Sequence, residues 1–482
     1  MSANAPLEAE AIRLAGLGLL PQALQVVQRA LSGQQTCSIA HGLRVILLLK
    51  LDRREEASGA LQEALAARVG SADAHDSLAH ACLMLGRYED SNREYHRVVA
   101  LASDVAQFWY NLASSERSFG RLESAEQACN RAIALDPTEY RCYLLRAELR
   151  VQTKASNHVD ELYSQLRDPK LEDRGRVFLG YALAKELDDQ GEFSEAFRWY
   201  AEAARIRKRH LAYDVSVDER KLARIAAVYS QMGARAAYVV GPRPIFIVGL
   251  PRSGTTLLER ILEGLPGVAS RGETEDFSRA LLSAAPPSNA DVFARAAAAE
   301  PDRVAAAYRR LVGESKHAAL IEKLPLNYLY LGAIAQALPA ARILLVSRVP
   351  LDSCFAMFRT LFGQAYPFTY DFEDLARYYA AYARLVQHWR DVLGPVLLEV
   401  RYDELVADPE TVSARAAAHC GLAWNAGALD ITRNDSVSTT ASAAQVRRPI
   451  YKSSSGRWRR YHAQLAPLIE ALRTCGIAAP EG

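Results

Sequence analysis

The stretch RPIFIVGLPRSGTTLLERIL, residues 243–262, decides how the second half of the chain is read. Residues 245–248 are an unbroken apolar run, the pattern of a strand buried on both faces. A turn of small residues follows, and then an amphipathic segment that reads as a helix. From Gly249 to Thr256 the letters are G-L-P-R-S-G-T-T. This is the G-x-x-x-x-G-K-[ST] spacing of a phosphate-binding loop, with Thr255 where the lysine belongs. The question is whether the loop is damaged or is built for a different phosphate ligand. Backbone N–H groups of residues 250–256 point inward in such a turn, and a helix starting near Thr255 adds its positive end. Thr255 and Thr256 offer hydroxyls, and Arg252 offers a forked cation suited to tetrahedral oxyanions. A plain strand-to-helix turn capped by Ser or Thr is the competing explanation. Arg252, Ser253, Thr255 and Thr256 together favour an anion site.

Moving outward, residues 341–348 (ARILLVSR) and 395–405 (PVLLEVRYDEL) read as two more strands, and residues 374–393 as a helix. Strands alternating with helices predict an α/β domain around a parallel sheet. Ligands of such sheets bind at the carboxyl ends of the strands. The loop after Val248, Arg348 and Tyr402 all fall there.

The first half has another grammar. In WYNLASSERSFGRLESAEQACNRAIALDP, the residues Leu112, Ala113, Gly120, Ala125, Ala132 and Pro137 hold the small and turn positions of a 34-residue tetratricopeptide repeat. Steps of that length back from Gly120 reach Gly86, Asp52 and Gly18, with Ala57, Ala64, Ala23 and Ala30 in register. The register blurs over residues 139–172 and returns at Gly191, shifted by three. Helices pack closely only where a small residue sits at the crossing, and one pair alone cannot bury its apolar face. Five or six helix pairs are expected over residues 5–210. The expected organisation is an all-α tetratricopeptide solenoid (1–210), a helical linker (211–240) and an α/β domain with a phosphate-binding-loop-like turn (241–482).

A length of 482 residues suits two or three domains, and the formal net charge of +2 gives no field that would imply nucleic acid. The seven cysteines are widely spaced, with no C-x-x-C, so neither a zinc site nor a disulfide framework is expected. The start, MSANAPLEAEAIRL, lacks the apolar core of a signal peptide, and no run has the length of a membrane span. A cytoplasmic protein is the expectation. The sequence says nothing of oligomeric state.

With these residues in view, GLPRSGTTLLERIL resembles the 5′-phosphosulfate loop of sulfotransferases, in which threonine often holds the lysine position. SRVPLDSCFAMF, residues 347–358, resembles the 3′-phosphate segment of that family, and TASAAQVRRPIYKSSSGRWRRY, residues 440–461, the closing basic segment of its bacterial tetratricopeptide-linked members. The resemblance spans roughly residues 240–475 and, within the superfamily, is nearest to protein-tyrosine sulfotransferases. It implies the sulfotransferase fold and the donor 3′-phosphoadenosine 5′-phosphosulfate, with adenosine 3′,5′-bisphosphate as product and no metal. It also implies a role for each matching residue. Pro251, Arg252, Ser253, Gly254, Thr255 and Thr256 hold the 5′-phosphate and sulfonate. Glu273, in ASRGETEDF, is the general base, with Glu275 and Asp276 as competitors. Lys323, in IEKLPLNYLYLG, neutralises charge at the bridging oxygen, and Asn327 orients neighbours.

Arg348 matches the arginine on the 3′-phosphate, but its usual serine partner is replaced by Ala356. Ser353, three residues away, is most of a helical turn off and is no simple substitute. Tyr402, Ser442 and Arg457 match further ligands, Ser442 near the sulfonate and Arg457 in place of a lysine on the 3′-phosphate side. Arg447 and Arg448 would add to the patch. The expected acceptor is a hydroxyl compound, a protein or peptide tyrosine among the choices, recruited by the repeats. Residues 360–375, TLFGQAYPFTYDFEDL, read equally as an acceptor cleft or as core. Two other functions stay open on the sequence: a tetratricopeptide scaffold with a degenerate nucleotide domain, and an NTP-dependent kinase, against which Thr255 argues.

Overall fold

The computed structural model describes residues 5–32, 39–67, 70–232, 241–287, 292–434, 436–438, 440, 443, 447–452 and 454–478. Twelve helices come first: α1 (Ala5–Gly16), α2 (Leu20–Ser32), α3 (Ala40–Lys50), α4 (Arg54–Ala66), α5 (Ala72–Met84), α6 (Tyr88–Leu101), α7 (Ala106–Ser118), α8 (Leu122–Leu135), α9 (Tyr140–Leu149), α10 (Val159–Leu166), α11 (Asp173–Asp189) and α12 (Phe193–Arg209). The chain forms two compact units that divide between Val151 and Gln152.

In the first unit α1/α2, α3/α4, α5/α6 and α7/α8 are packed pairs. The residues expected at the turns all adopt left-handed backbone: Gly18 (φ 76°), Asp52 (61°), Gly86 (75°) and Gly120 (77°). That conformation crowds a side chain, which is why glycine dominates and aspartate is the tolerated exception. The 34-residue register reappears as burial. Ala23, Ala57, Ser91 and Ala125 are at most 1 % exposed, as are Ala30, Ala64, Val98 and Ala132. Where α3 crosses α5, a β-carbon on Gly42 would lie 2.4 Å from the Ser77 backbone, so that crossing admits no side chain.

Helices α10 to α12 belong to the second unit, although the solenoid was expected to run to residue 210. Tyr181 on α11 donates to the Phe358 carbonyl at 3.3 Å, and Arg207 on α12 donates to the Gly363 carbonyl at 2.9 Å. The blurred register over residues 139–172 corresponds to two short helices, α9 of 10 and α10 of 8 residues, that lie on either side of the division.

The rest of the second unit runs α13 (Val215–Val228), β1 (Arg243–Gly249), α14 (Thr255–Glu263), β2 (Val268–Ser270), α15 (Asp276–Ala284), α16 (Val292–Ala297), α17 (Pro301–Val312), β3 (Ala319–Lys323), α18 (Leu331–Ala337), β4 (Arg342–Ser347), α19 (Pro350–Phe358), α20 (Phe372–Leu393), β5 (Leu397–Arg401), α21 (Tyr402–Ala407), α22 (Pro409–His419) and α23 (Ala466–Thr474). The five strands are parallel, in the order β2-β3-β1-β4-β5. The three strands expected from the sequence are β1, β4 and β5. Of the other two, β2 has only three residues, and β3 (ALIEK) ends on charged residues that hide its apolar start.

Register fixes what lies together. Ile247 pairs with Lys323, Gly249 with Val346, and Ser347 with Arg401. The loop after β1, the last residue of β3, and the exits of β4 and β5 therefore share one edge. The chain also reverses its direction of travel beside β1, going first to β2 and β3 on one side and then to β4 on the other. Such a switch point opens a crevice at the carboxyl ends. On one face Ile245, Ile247, Leu258, Ile261, Val346 and Val400 form a fully buried layer that keeps this edge rigid.

No described helix is long and apolar enough to cross a membrane. Six cysteines among the described residues are unpaired, five of them buried.

Candidate active site

The loop between β1 and α14 is held in a shape few residues tolerate. Arg252, although not glycine, has φ 65°, and Gly254 has φ 105°. A left-handed non-glycine residue is costly and marks a site where the surroundings over-determine the backbone. At Gly254 a β-carbon would sit 2.3 Å from the Tyr402 ring, and at Gly249 one would sit 2.4 Å from the Val346 carbonyl oxygen. Both glycines are needed for close approach. Helix α14 starts at Thr255 with no side-chain cap, so its first turn presents N–H groups without intrahelical acceptors. Pro251, Ser253, Thr255 and Thr256 are buried, Arg252 is half-buried, and the Ser253 hydroxyl has no hydrogen-bond partner. A buried hydroxyl free to donate beside a helix start suits an anion.

Lys323 ends β3 with its side chain fully buried. Its ammonium lies 2.5 Å from a Glu273 carboxylate oxygen and 3.6 Å from one of Glu259. Two backbone bonds stitch the Glu273 loop to β3: Arg271 N–H to the Ile321 carbonyl (2.8 Å) and Lys323 N–H to the Gly272 carbonyl (3.1 Å). Of the three acids weighed for the base, the structure brings Glu273 to Lys323. Asp276 is buried and paired with Arg271, while Glu275 stands at the N-cap of α15. Glu273 keeps 35 % of its side chain exposed, open to a second reactant.

Glu259 was not foreseen. It lies one helical turn beyond Thr255, on the same face of α14, and that spacing was the available signal. It accepts a hydrogen bond from Ser270 at 2.6 Å. Burial pushes its carboxyl above the ordinary value, while the nearby Lys323 charge opposes the rise. Asn327 sits away from this cluster. Its amide donates to Glu322 at 2.9 Å, and burial raises that carboxyl to about 7.

Arg348 leaves β4 and lies over the Tyr402 ring, 4.9 Å from its centroid. The same ring packs on Gly254, so loop, tyrosine and arginine form one contiguous stack. Burial pushes the Tyr402 phenol up, and the Arg348 charge acts against this. Arg348 donates to the Ser454 carbonyl, lies 3.8 Å from Asp352, and leaves its Nε buried without a partner. The closing basic segment docks on the same edge. Gly456 and Trp458 N–H groups bond the two Asp352 carboxylate oxygens at 2.6 and 3.2 Å, and Ser455 donates to Asp403. Between them Arg457 reaches Asp188, at 2.6 Å. Arg447 donates to the Asn434 and Ser436 carbonyls at 2.7 and 2.8 Å, apart from the Arg348 stack. Ala356 is buried on α19. Ser442 lies outside the described residues.

The aromatic stretch after α19 is partly core and partly rim. Phe368 stacks on Tyr378 at 3.6 Å, and Tyr370 folds back to accept from the Phe362 N–H at 2.9 Å. Tyr366 is half-buried, in left-handed backbone (φ 55°), with its ring edge-on to Phe362 at 4.9 Å. Burial and then the Glu273 carboxylate push its phenol up to about 12. Among the described residues no cluster of three His, Cys, Asp or Glu side chains gathers as a metal site.

Comparison with known proteins gives two family matches. Residues 244–426 match the model of the sulfotransferase family, and residues 77–140 that of the tetratricopeptide repeat. A curated relative from Aquifex aeolicus, described as an uncharacterized protein, is 26 % identical over 355 residues, which is 68 % of this chain and 45 % of that protein. The chain thus spans less than half the length of the curated relative it matches. Among solved structures, the sulfotransferase domain of the Synechococcus PCC 7002 olefin synthase is 20 % identical (TM-score 0.37), covering 52 % of this chain and all of that one. A sulfotransferase from Alicyclobacillus acidocaldarius is 21 % identical (TM-score 0.28), covering 50 % of this chain and 98 % of that one.

Proposed function

Because the chain carries a sulfotransferase-family domain behind tetratricopeptide repeats, we propose that it transfers a sulfonate group to an acceptor hydroxyl, with 3′-phosphoadenosine 5′-phosphosulfate as donor. The observation that carries this is the buried Lys323 ammonium, set beside a half-exposed Glu273 at the sheet edge that also bears the Gly254–Tyr402–Arg348 stack. The unpartnered Ser253 hydroxyl and Arg348 Nε fit a ligand with an anion at each end.

When bound, the nucleotide supplies a sulfonate activated by its anhydride link to the 5′-phosphate. The residues proposed to hold the 5′ end are Pro251 to Thr256, through loop N–H groups, hydroxyls and Arg252. Arg348, Tyr402 and Arg457 are proposed for the 3′-phosphate end, and Ser442 for the sulfonate. Lys323 neutralises negative charge where the leaving oxygen lies, from a dry position that strengthens the effect. Glu273 Oε accepts the acceptor's hydroxyl proton. Its likeness to the tyrosine-sulfating base supports a phenolic hydroxyl on a protein or peptide, and Tyr366, whose phenol feels the Glu273 charge, fits an aromatic acceptor. The repeats are proposed to recruit that partner.

Calorimetry on the full chain tests the nucleotide reading. Adenosine 3′,5′-bisphosphate binds without added magnesium, and ATP binds at least about tenfold more weakly, a difference of ~1.4 kcal/mol. Magnesium-dependent ATP binding that exceeds it would support a kinase, and binding of neither would support a scaffold.

A further inference from the structure

Helices α11 and α12 look like one more repeat, yet one face of the pair is spent inside the second unit. On α12 the residues Phe193, Phe197, Tyr200, Ala204 and Arg207 recur at spacings of four and three, one helical stripe. Phe193 and Phe197 pack on Tyr461 of the closing segment, with centroids 5.3 and 6.4 Å apart, and Phe197 also packs on Phe358 of α19 at 6.2 Å. At one end of the pair Arg207 grips the Gly363 carbonyl. At the other end, about 21 Å away along α12, stands Asp188.

Asp188 is a buried carboxylate with three donors. Arg359, at the C-cap of α19, reaches it at 2.7 Å, Arg457 at 2.6 Å, and the Tyr461 hydroxyl at 2.5 Å. Burial alone would raise its pKa, but the Arg359 and Arg457 charges reverse this and hold it below the ordinary carboxylate value. One negative charge faces two guanidiniums, so a positive excess remains. The Nε atoms of both arginines are buried without partners.

The position of Arg457 makes this more than a structural anchor. Its chain neighbours Gly456 and Trp458 are bonded to Asp352, which in turn lies beside Arg348. Three consecutive residues are thus clamped from two sides, by Asp352 within the sheet domain and by Asp188 from the helix pair. We propose that Asp188 is a positioning residue of the nucleotide site, holding Arg457 and the closing segment against the Arg348 end; this rests on the nucleotide reading above. The helix pair is then part of the enzyme's frame and not a free recruiting surface on this face.

Calorimetry of the full chain with adenosine 3′,5′-bisphosphate separates this role from simple packing. Asp188→Asn, which keeps the shape and a contact for Tyr461, weakens binding roughly tenfold, a mid-range coupling for groups in direct contact. Arg457→Gln weakens it comparably. The double variant binds no worse than Arg457→Gln alone, because Asp188 acts through Arg457. Arg207→Gln, at the far end of the pair, leaves affinity within about twofold. Should Asp188→Asn fail to fold, Asp188→Glu takes its place, with the charge kept but moved by one methylene and the same direction of effect. Wild-type affinity in the Asp188 variant, additive losses in the double variant, or an equal loss in Arg207→Gln each overturns the proposal. If the wild-type chain itself binds no bisphosphate, the nucleotide reading falls, and this proposal with it.

Discussion

Glu273→Gln removes about two to four orders of magnitude from the rate of sulfonate transfer, the usual worth of a positioned general base. Adenosine 3′,5′-bisphosphate binds the variant as tightly as the wild type. The geometry supports this separation. Glu273 touches Lys323 on one side and solvent on the other, whereas the nucleotide end is built from Gly254, Tyr402 and Arg348. Glutamine keeps the volume and one hydrogen bond to the lysine but cannot take a proton. Lys323 still has Glu259 as a counter-charge, so the buried ammonium is not stranded. Initial rates with labelled donor, paired with calorimetry, check both halves. Wild-type turnover in Glu273→Gln removes this residue from the mechanism. Loss of bisphosphate affinity would instead assign it to nucleotide binding.

Lys323→Met produces the second large effect. Transfer falls by roughly two to three orders of magnitude, the range for deleting a donor aimed at developing charge in a dry site. Stability changes too, with a sign set by Glu259. Burial already raises that carboxyl's pKa, and Lys323 is the charge that opposes the rise. Without the lysine the folded-state pKa climbs further. A carboxyl raised in the folded state favours folding below its unfolded value, near ~4.3, and loses that contribution as pH climbs through the folded value. Lys323→Met is therefore close to wild type in thermal stability near pH 5 and clearly less stable near pH 8. Melting curves across that range check it. A pH-independent deficit would show that Glu259 is not the group left uncompensated.

The repeats were legible because close helix packing writes itself into spacing. Ala23, Ala57 and Ala125 are buried at the expected period, and Gly18, Asp52, Gly86 and Gly120 make the left-handed turns. β1 was legible because a strand in the centre of a parallel sheet is apolar on both faces. β3 was not, because its last two residues are charged: Glu322 accepts from Asn327 and Lys323 pairs with Glu273, pairings no local pattern reveals. Asp188 was hidden for a similar reason. It sits in what reads as an ordinary repeat, and its partners Arg359, Arg457 and Tyr461 lie far along the chain. The loop letters G-L-P-R-S-G-T-T pointed to an anion cradle, but only the folded chain shows Tyr402 packed on Gly254 and lying beneath Arg348. What takes the place of the serine absent at Ala356 has a physical candidate in that stack, since Arg348 Nε remains unpartnered and buried.

The most direct test follows the sulfonate itself. The full chain is incubated with 3′-phosphoadenosine 5′-phosphosulfate labelled at sulfur, together with a cell lysate as acceptor source, and the labelled product is identified. The account predicts label on a hydroxyl group, a protein or peptide tyrosine first, released together with adenosine 3′,5′-bisphosphate and lost in Glu273→Gln and Lys323→Met. Label that stays on the nucleotide under conditions where the folded chain binds the bisphosphate would contradict it.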